Sequence, residues 1–205
     1  MKKLSLVVPA YNESACIDRF VETIFGLGLE NPLEIVFVDD GSKDDTLAKI
    51  KAAAEKDERV RYVSFSRNFG KEAALFAGLN HASGDLVVTM DADLQHRPEL
   101  LKDMVNAIEL EGYDCAAACR TTRTGEPALR SWFAHRFYGL MSKYSDVDLK
   151  DGSMDYRMMT RQVVDVILAL KESNRFTKGI YQWVGFKTKW IETTNVARVA
   201  GETKW

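Results

Sequence analysis

Two carboxylates spaced two positions apart, Asp91 and Asp93, follow the β-rich run Asp85–Met90 and form the sharpest chemical feature of the chain. In an extended segment, side chains at i and i+2 share a face, so the pair would repel unless a cation lies between them. Hard carboxylate oxygens suit Mg²⁺ or Mn²⁺, which commonly completes its shell with substrate phosphates. A pair of ordinary loop or cap carboxylates is the plainer reading of Asp-Ala-Asp, but Asp39 and Asp40 close a second apolar run in the same manner. No Gly-x-Gly-x-x-Gly follows the first apolar run and no Walker-type Gly-Lys-Ser/Thr loop occurs, which disfavours a dinucleotide dehydrogenase or a P-loop ATPase. A diphosphate would instead be held by a cation on Asp91 and Asp93, by Lys71, and by basic residues of the second half.

These residues need a scaffold, and the first 120 positions supply an alternating one. Leu4–Val8, Glu34–Val38, Val60–Phe65, Asp85–Met90 and Asp114–Ala118 read as short strands, several apolar on both faces as buried parallel strands are. Ile17, Phe20, Val21, Ile24 and Leu27 keep a helical period, as do Leu101, Met104, Val105 and Ile108. Ser42 with Asp45, and Pro98, are candidate helix starts. The alternation predicts a three-layer α/β/α sandwich with a mostly parallel central sheet. In such a sheet ligands bind beyond the carboxyl ends of the strands. The residues found there are Pro9-Ala10-Tyr11-Asn12-Glu13, Asp39-Asp40-Gly41-Ser42, Ser66-Arg67-Asn68-Phe69-Gly70-Lys71 and Asp91-Ala92-Asp93-Leu94-Gln95-His96.

The 205 residues carry 28 Lys+Arg, 30 Asp+Glu and 46% hydrophobic residues, an ordinary globular balance that fits one domain, without repeats or clear linkers. Only three cysteines occur (Cys16, Cys115, Cys119), which excludes a disulfide-stapled scaffold and fits reduced thiols in a cytosolic setting. No apolar run reaches the roughly 18 to 20 residues that span a bilayer, and Met1-Lys2-Lys3 leads at once into a strand-like run rather than a signal peptide. Charge is uneven: residues 1–119 sum to −8, whereas 120–143 and 171–205 each sum to +4. The stretch Pro127–Tyr144 sets Leu129, Trp132, Phe133, Phe137, Leu140 and Met141 against Arg130, Arg136 and Lys143, the composition of an interfacial amphipathic helix or of a helix packed on the core. An acidic front half argues against nucleic acid as a partner.

The four strand-end motifs, in this order and spacing, resemble the signature of the GT-A-fold family 2 glycosyltransferases. More narrowly the chain is similar to the polyprenyl-phosphate glycosyltransferases, such as dolichyl-phosphate mannose synthases and bacterial undecaprenyl-phosphate glucosyl transferases. Asn174-Arg175-Phe176, Trp183-Val184-Gly185-Phe186 and Arg198–Trp205 fit that subgroup. The resemblance implies a single catalytic domain over 1–205, with a nucleotide-sugar half (1–119) and an acceptor and phosphate half (120–205). It implies that Pro9, Tyr11 and Glu13 line a nucleoside pocket, that Asp39 reads the base and that Lys71 lies near the nucleotide. Asp91, Ala92, Asp93 and Gln95 would form the metal and diphosphate site, with Mg²⁺ or Mn²⁺ as cofactor on Asp91 and Asp93. Asp155 matches the family's acidic residue near the acceptor, although Ser153-Met154 replaces the usual Gly or Val-Gly before it and Tyr156 replaces Phe. Arg120, Arg198 and Lys204 would engage phosphates, with Arg130 and Arg136 toward the membrane surface and the lipid phosphate.

The implied reaction moves a sugar from a nucleotide diphosphate (UDP- or GDP-linked) to a polyprenyl phosphate at the cytoplasmic side of the cell membrane, inverting the anomeric centre, with Asp93 and Asp155 in catalytic roles. A homo-oligomer is compatible with the sequence. Relatives usually continue into membrane-spanning helices, so a chain stopping at Trp205 is expected to be a catalytic fragment. A phosphate acceptor is largely dianionic near pH 7, so Asp155 would orient the acceptor rather than remove a proton. Two alternatives remain open at this stage: transfer to a saccharide hydroxyl, with Asp155 as a true base, and a non-catalytic nucleotide-sugar or membrane-binding module.

Overall fold

The computed structural model describes residues 1–120, 152–170, 172 and 175–194. Among the described residues, seven strands form one sheet: β1 (Leu4–Ala10), β2 (Leu33–Asp39), β3 (Val60–Ser64), β4 (Leu86–Thr89), β5 (Cys115–Arg120), β6 (Ser153–Thr160) and β7 (Thr188–Thr193). Their order across the sheet is β3-β2-β1-β4-β6-β5-β7. All neighbours are parallel except at β6, which runs against both β4 and β5. The five strands expected from the sequence are present. β6 and β7 were not expected, because Ser153–Thr160 carries Asp155 and Arg157 inside a buried strand and so lacks the apolar signature.

Among the described residues, six helices cover the sheet: α1 (Ile17–Gly26), α2 (Thr46–Lys56), α3 (Lys71–His81), α4 (Leu100–Glu109), α5 (Arg161–Ala169) and α6 (Thr177–Trp183). Every residue of β1 is buried, and alternate side chains serve opposite layers. Leu4, Leu6 and Val8 join Ile17, Phe20 and Ile24 of α1 and Leu101 and Met104 of α4, while Val7 packs with Leu75 and Leu79 of α3 and Val163, Val164 and Ile167 of α5. The three-layer sandwich is therefore present with a core on each face. The short apolar segment near Val163 is a core helix face, and among the described residues no helix is long and apolar enough to cross a membrane.

Two helix starts differ from expectation. α2 begins at Thr46 rather than at Ser42, because the Asp44 carboxylate takes the Thr46 N–H (3.0 Å) and also ties down Ser14 N–H (3.3 Å). Ser42 is spent on a loop contact instead, accepting the Asn12 N–H at 2.9 Å. Pro98 forms the turn before α4, accepting from Leu101 N–H at 3.0 Å, and the helix itself starts two residues later.

Candidate active site

The carboxyl ends of β1, β2, β4 and β5 and the start of the reversed β6 meet at one edge of the sheet. At the end of β2, Asp39 is only 1% exposed and turns its carboxylate onto its own surroundings, accepting from Ser42 N–H (3.2 Å) and the Ser64 hydroxyl (3.2 Å). Asp40 is fully buried and receives the N–H groups of Phe69 (2.7 Å) and Gly70 (2.9 Å). Burial raises the Asp40 pKa; the two N–H donors oppose that shift and the neighbouring Asp39 charge adds to it. Asp40 thereby shapes the loop that delivers Lys71 at the first turn of α3. Gly41 makes this possible: its φ is +68°, and a Cβ there would overlap the Arg67 backbone.

Lys71 is the centre of the site. Its ammonium lies 2.7 Å from Asp91 Oδ1 and 2.9 Å from Asp155 Oδ2. Burial disfavours that charge, but the two carboxylates outweigh burial and raise the Lys71 pKa. Asp155 is also approached by Lys178 Nζ of α6 at 3.6 Å, and the Asp155 carbonyl accepts from the Thr89 hydroxyl at 2.6 Å. The α6 start is held to α3 by the Thr177 N–H and hydroxyl, both donating to Glu72.

Asp91 and Asp93 do not lie on one extended segment. The strand ends at Thr89, Ala92 and Asp93 form a turn, and Leu94 takes a left-handed φ of +56°. Asp93, 5% exposed, accepts the Gln95 N–H at 3.0 Å. The repulsion expected between the two carboxylates is relieved on the Asp91 side by Lys71, while His96 Nε2 lies 3.4 Å from Asp91 Oδ2. Burial would raise the Asp91 pKa; His96 and Lys71 reverse this and hold it well below the usual carboxylate range.

No cluster of three or more His, Cys, Asp or Glu side chains arranged to hold a metal occurs among the described residues. Two hard carboxylates, Asp91 and Asp93, fit a Mg²⁺-type ion that takes its remaining ligands from water and phosphate.

Of the other residues singled out, Pro9 is buried within β1, Tyr11 is half-buried just beyond it, and Glu13 is buried. Arg120 ends β5 and donates its N–H to Gly152 at 2.9 Å, on the same edge as Asp155. Arg130, Arg136, Arg198 and Lys204, and with them the amphipathic stretch, lie outside the described residues. Sequence reasoning missed Lys178, which sits in a generally basic segment without a motif, and it placed His96 at the strand end without a role, because no partner for it is legible in sequence.

A family model, "Glycosyl transferase family 2", matches residues 5–168. A bactoprenol glucosyl transferase of Shigella phage SfV is 43% identical over 205 residues, covering 99% of this chain and 66% of that protein. The chain spans 61% to 67% of the length of the curated relatives it matches. Among solved structures, a Pyrobaculum calidifontis mannosyltransferase in complex with GDP-Man and Mn²⁺ superposes with a TM-score of 0.67 at 21% identity, over 97% of this chain and 57% of that one. Glucosyl-3-phosphoglycerate synthase of Mycobacterium tuberculosis, with Mn²⁺, UDP-glucose and phosphoglyceric acid, superposes with a TM-score of 0.65 at 21% identity, over 98% and 73%. These likenesses show the GT-A fold.

Proposed function

Because the chain belongs to glycosyl transferase family 2, we propose that it carries the catalytic machinery for inverting transfer of a sugar from a nucleotide diphosphate to a polyprenyl phosphate. The observation that carries this reading is the Lys71 ammonium shared between Asp91, in the nucleotide half, and Asp155, in the acceptor half. The bactoprenol glucosyl transferase name of a 43% identical relative supports a polyprenyl phosphate as acceptor.

In this reading an acceptor phosphate oxygen forms a bond to the anomeric carbon as the bond to the nucleotide diphosphate breaks, the electron pair leaving with the diphosphate. Asp91 and Asp93 would hold a divalent ion against the diphosphate, and that ion would supply electrostatic stabilisation of the leaving group. Lys71 adds a fixed positive charge at the same place. A carboxylate beside a dianionic acceptor would repel it, but Asp155 faces Lys71 and Lys178. Its role is to hold these two ammonium groups toward the acceptor phosphate. With a phosphate second pKa near 6, no proton needs removing at neutral pH.

Asp39 would meet the base, with Pro9, Tyr11 and Glu13 around the nucleoside, and Gln95 beside the diphosphate. Arg120, Arg130, Arg136, Arg198 and Lys204 are the further cationic candidates for phosphate or the cytoplasmic membrane face. The test is a screen of UDP- and GDP-sugars against short-chain polyprenyl phosphates with Mg²⁺ or Mn²⁺, using a chain extended to the length of its relatives. Formation of a lipid-linked sugar supports the reading. Transfer only to saccharide hydroxyls, or nucleotide-sugar binding without transfer, overturns it in favour of one of the alternatives.

A further inference from the structure

His96 occupies a place that the reaction as described above does not use. It is 7% exposed, and its ring stacks on Tyr156 with centroids 5.2 Å apart and planes 25° from parallel. Its Nε2 lies 3.4 Å from Asp91 Oδ2, and neither ring nitrogen completes a hydrogen bond among the described residues. A buried imidazole whose two ring nitrogens both lack a partner, with one of them beside a half-buried carboxylate, is a costly arrangement.

The topology sets His96 and Lys71 on opposite sides of Asp91. On β6 successive side chains face opposite layers. Asp155 faces the α3 and α6 side, where it meets Lys71 and Lys178. Tyr156 faces the other layer, among the core residues of α1 and α4. Asp91, beyond the end of neighbouring β4, is therefore approached from both faces of the sheet: Lys71 pairs with Oδ1 from one side, and His96 Nε2 stands 3.4 Å from Oδ2 on the other. The two neighbours return to consecutive residues of one strand, Lys71 to Asp155 and His96 to Tyr156.

We propose that His96 is a positioning residue for donor binding: it presents its Nε2–H to Asp91 and, braced by Tyr156, fixes the orientation in which that carboxylate meets a nucleotide diphosphate and its divalent ion. This rests on the donor-site reading given above. Two contributions can be separated by substitution. His96→Phe keeps a ring for the stack and removes the nitrogen, whereas His96→Gln places an amide N–H near the Nε2 position and gives up the stack.

Calorimetric titration of the parent and both variants with Mn²⁺ plus UDP, and with Mn²⁺ plus GDP, provides the test, with thermal unfolding followed in parallel. The expected result is a loss of about tenfold or more in affinity for His96→Phe, the scale of one charge-assisted hydrogen bond. His96→Gln should stay within about threefold of the parent, whatever its melting temperature. Affinity of His96→Phe within twofold of the parent overturns the inference and leaves the donor site standing. So does an equal loss in both variants that tracks their loss of thermal stability, which is the signature of a packing role. A parent that binds neither nucleotide with Mn²⁺ overturns the donor-site reading itself, and this inference with it.

Discussion

Lys71 and Asp155, 84 positions apart in sequence, meet at 2.9 Å across the edge of the sheet. The same lysine also serves Asp91, so Asp155→Asn leaves it one full charge partner. Donor affinity should stay within about threefold of the parent, measured by calorimetry with Mn²⁺ and the nucleotide. Sugar transfer should fall by roughly 100-fold, the scale of a misplaced electrostatic group. The loss should not be recovered at higher pH, because the parent's own pH dependence would follow the acceptor phosphate near pH 6 and no carboxylate base. Near-parental turnover in the variant would take Asp155 out of the site.

Asp91→Asn has two expected consequences. Nucleotide-diphosphate binding in the presence of Mn²⁺ should drop by about 100-fold or more, since a proposed metal ligand is lost. Removing one of two like charges would, from the sequence alone, stabilise the metal-free protein. The structure reverses that sign, because Asp91 is already paired with Lys71. Denaturant unfolding without metal should show a loss of about 1–2 kcal/mol, reduced from the cost of a fully buried broken pair because Lys71 keeps Asp155. A variant more stable than the parent would contradict the pairing.

Acid stability should depend on Glu34, far from the site. Its side chain is 4% exposed and is bound by the Ser5 hydroxyl (2.6 Å), Lys3 Nζ (2.9 Å) and the Ser83 N–H (2.7 Å). Burial pushes its pKa up, but these donors prevail and bring it from 4.5 down to about 2. A depressed carboxyl pKa gives stability that is fully present above the unfolded-state value and is lost as pH falls from about 4.5 toward 2. The contribution at neutral pH is on the order of 2 kcal/mol after allowance for screening at the end of the sheet. Glu34→Gln should be less stable than the parent at pH 7, with the difference closing below about pH 3 in urea titrations.

Gly41→Ala should cost about 2 kcal/mol or more, from a positive φ and a collision with the backbone at Arg67. The damage falls on the loop held by Asp40, so nucleotide binding should weaken together with the urea midpoint. A variant with parental stability and parental affinity would show that this close approach is not needed.

Strands β1, β2, β4 and β5 were legible because buried parallel strands are continuous apolar runs, and polar strand ends marked one edge of the sheet. The strand carrying Asp155 was not, since it alternates between two cores with polar residues inside: Arg157 is 2% exposed and lies under the Tyr181 and Trp190 rings, 4.6 Å and 5.3 Å from their centroids. Asp91 and Lys71 were identified as site residues, yet their mutual contact was not foreseen, because the 19 intervening residues hide a turn, a helix and a strand. Asp40 reads like a ligand next to Asp39 but works as a loop clamp, a distinction that only its two N–H donors reveal.

The reversed strand β6 lies between β4, which leads to Asp91, and β5, which ends at Arg120. A segment from the second half of the chain is thus wedged between two segments of the first, and the two halves interlock like a key in a slot rather than abutting as jaws. Swinging one half against the other would shear two backbone ladders at once. Cutting the gene after position 119 would strip β5 of both its partners, β6 and β7, and bare the edge of β4. Chimeras that exchange donor preference should therefore graft the loops at strand ends and leave the strand order whole.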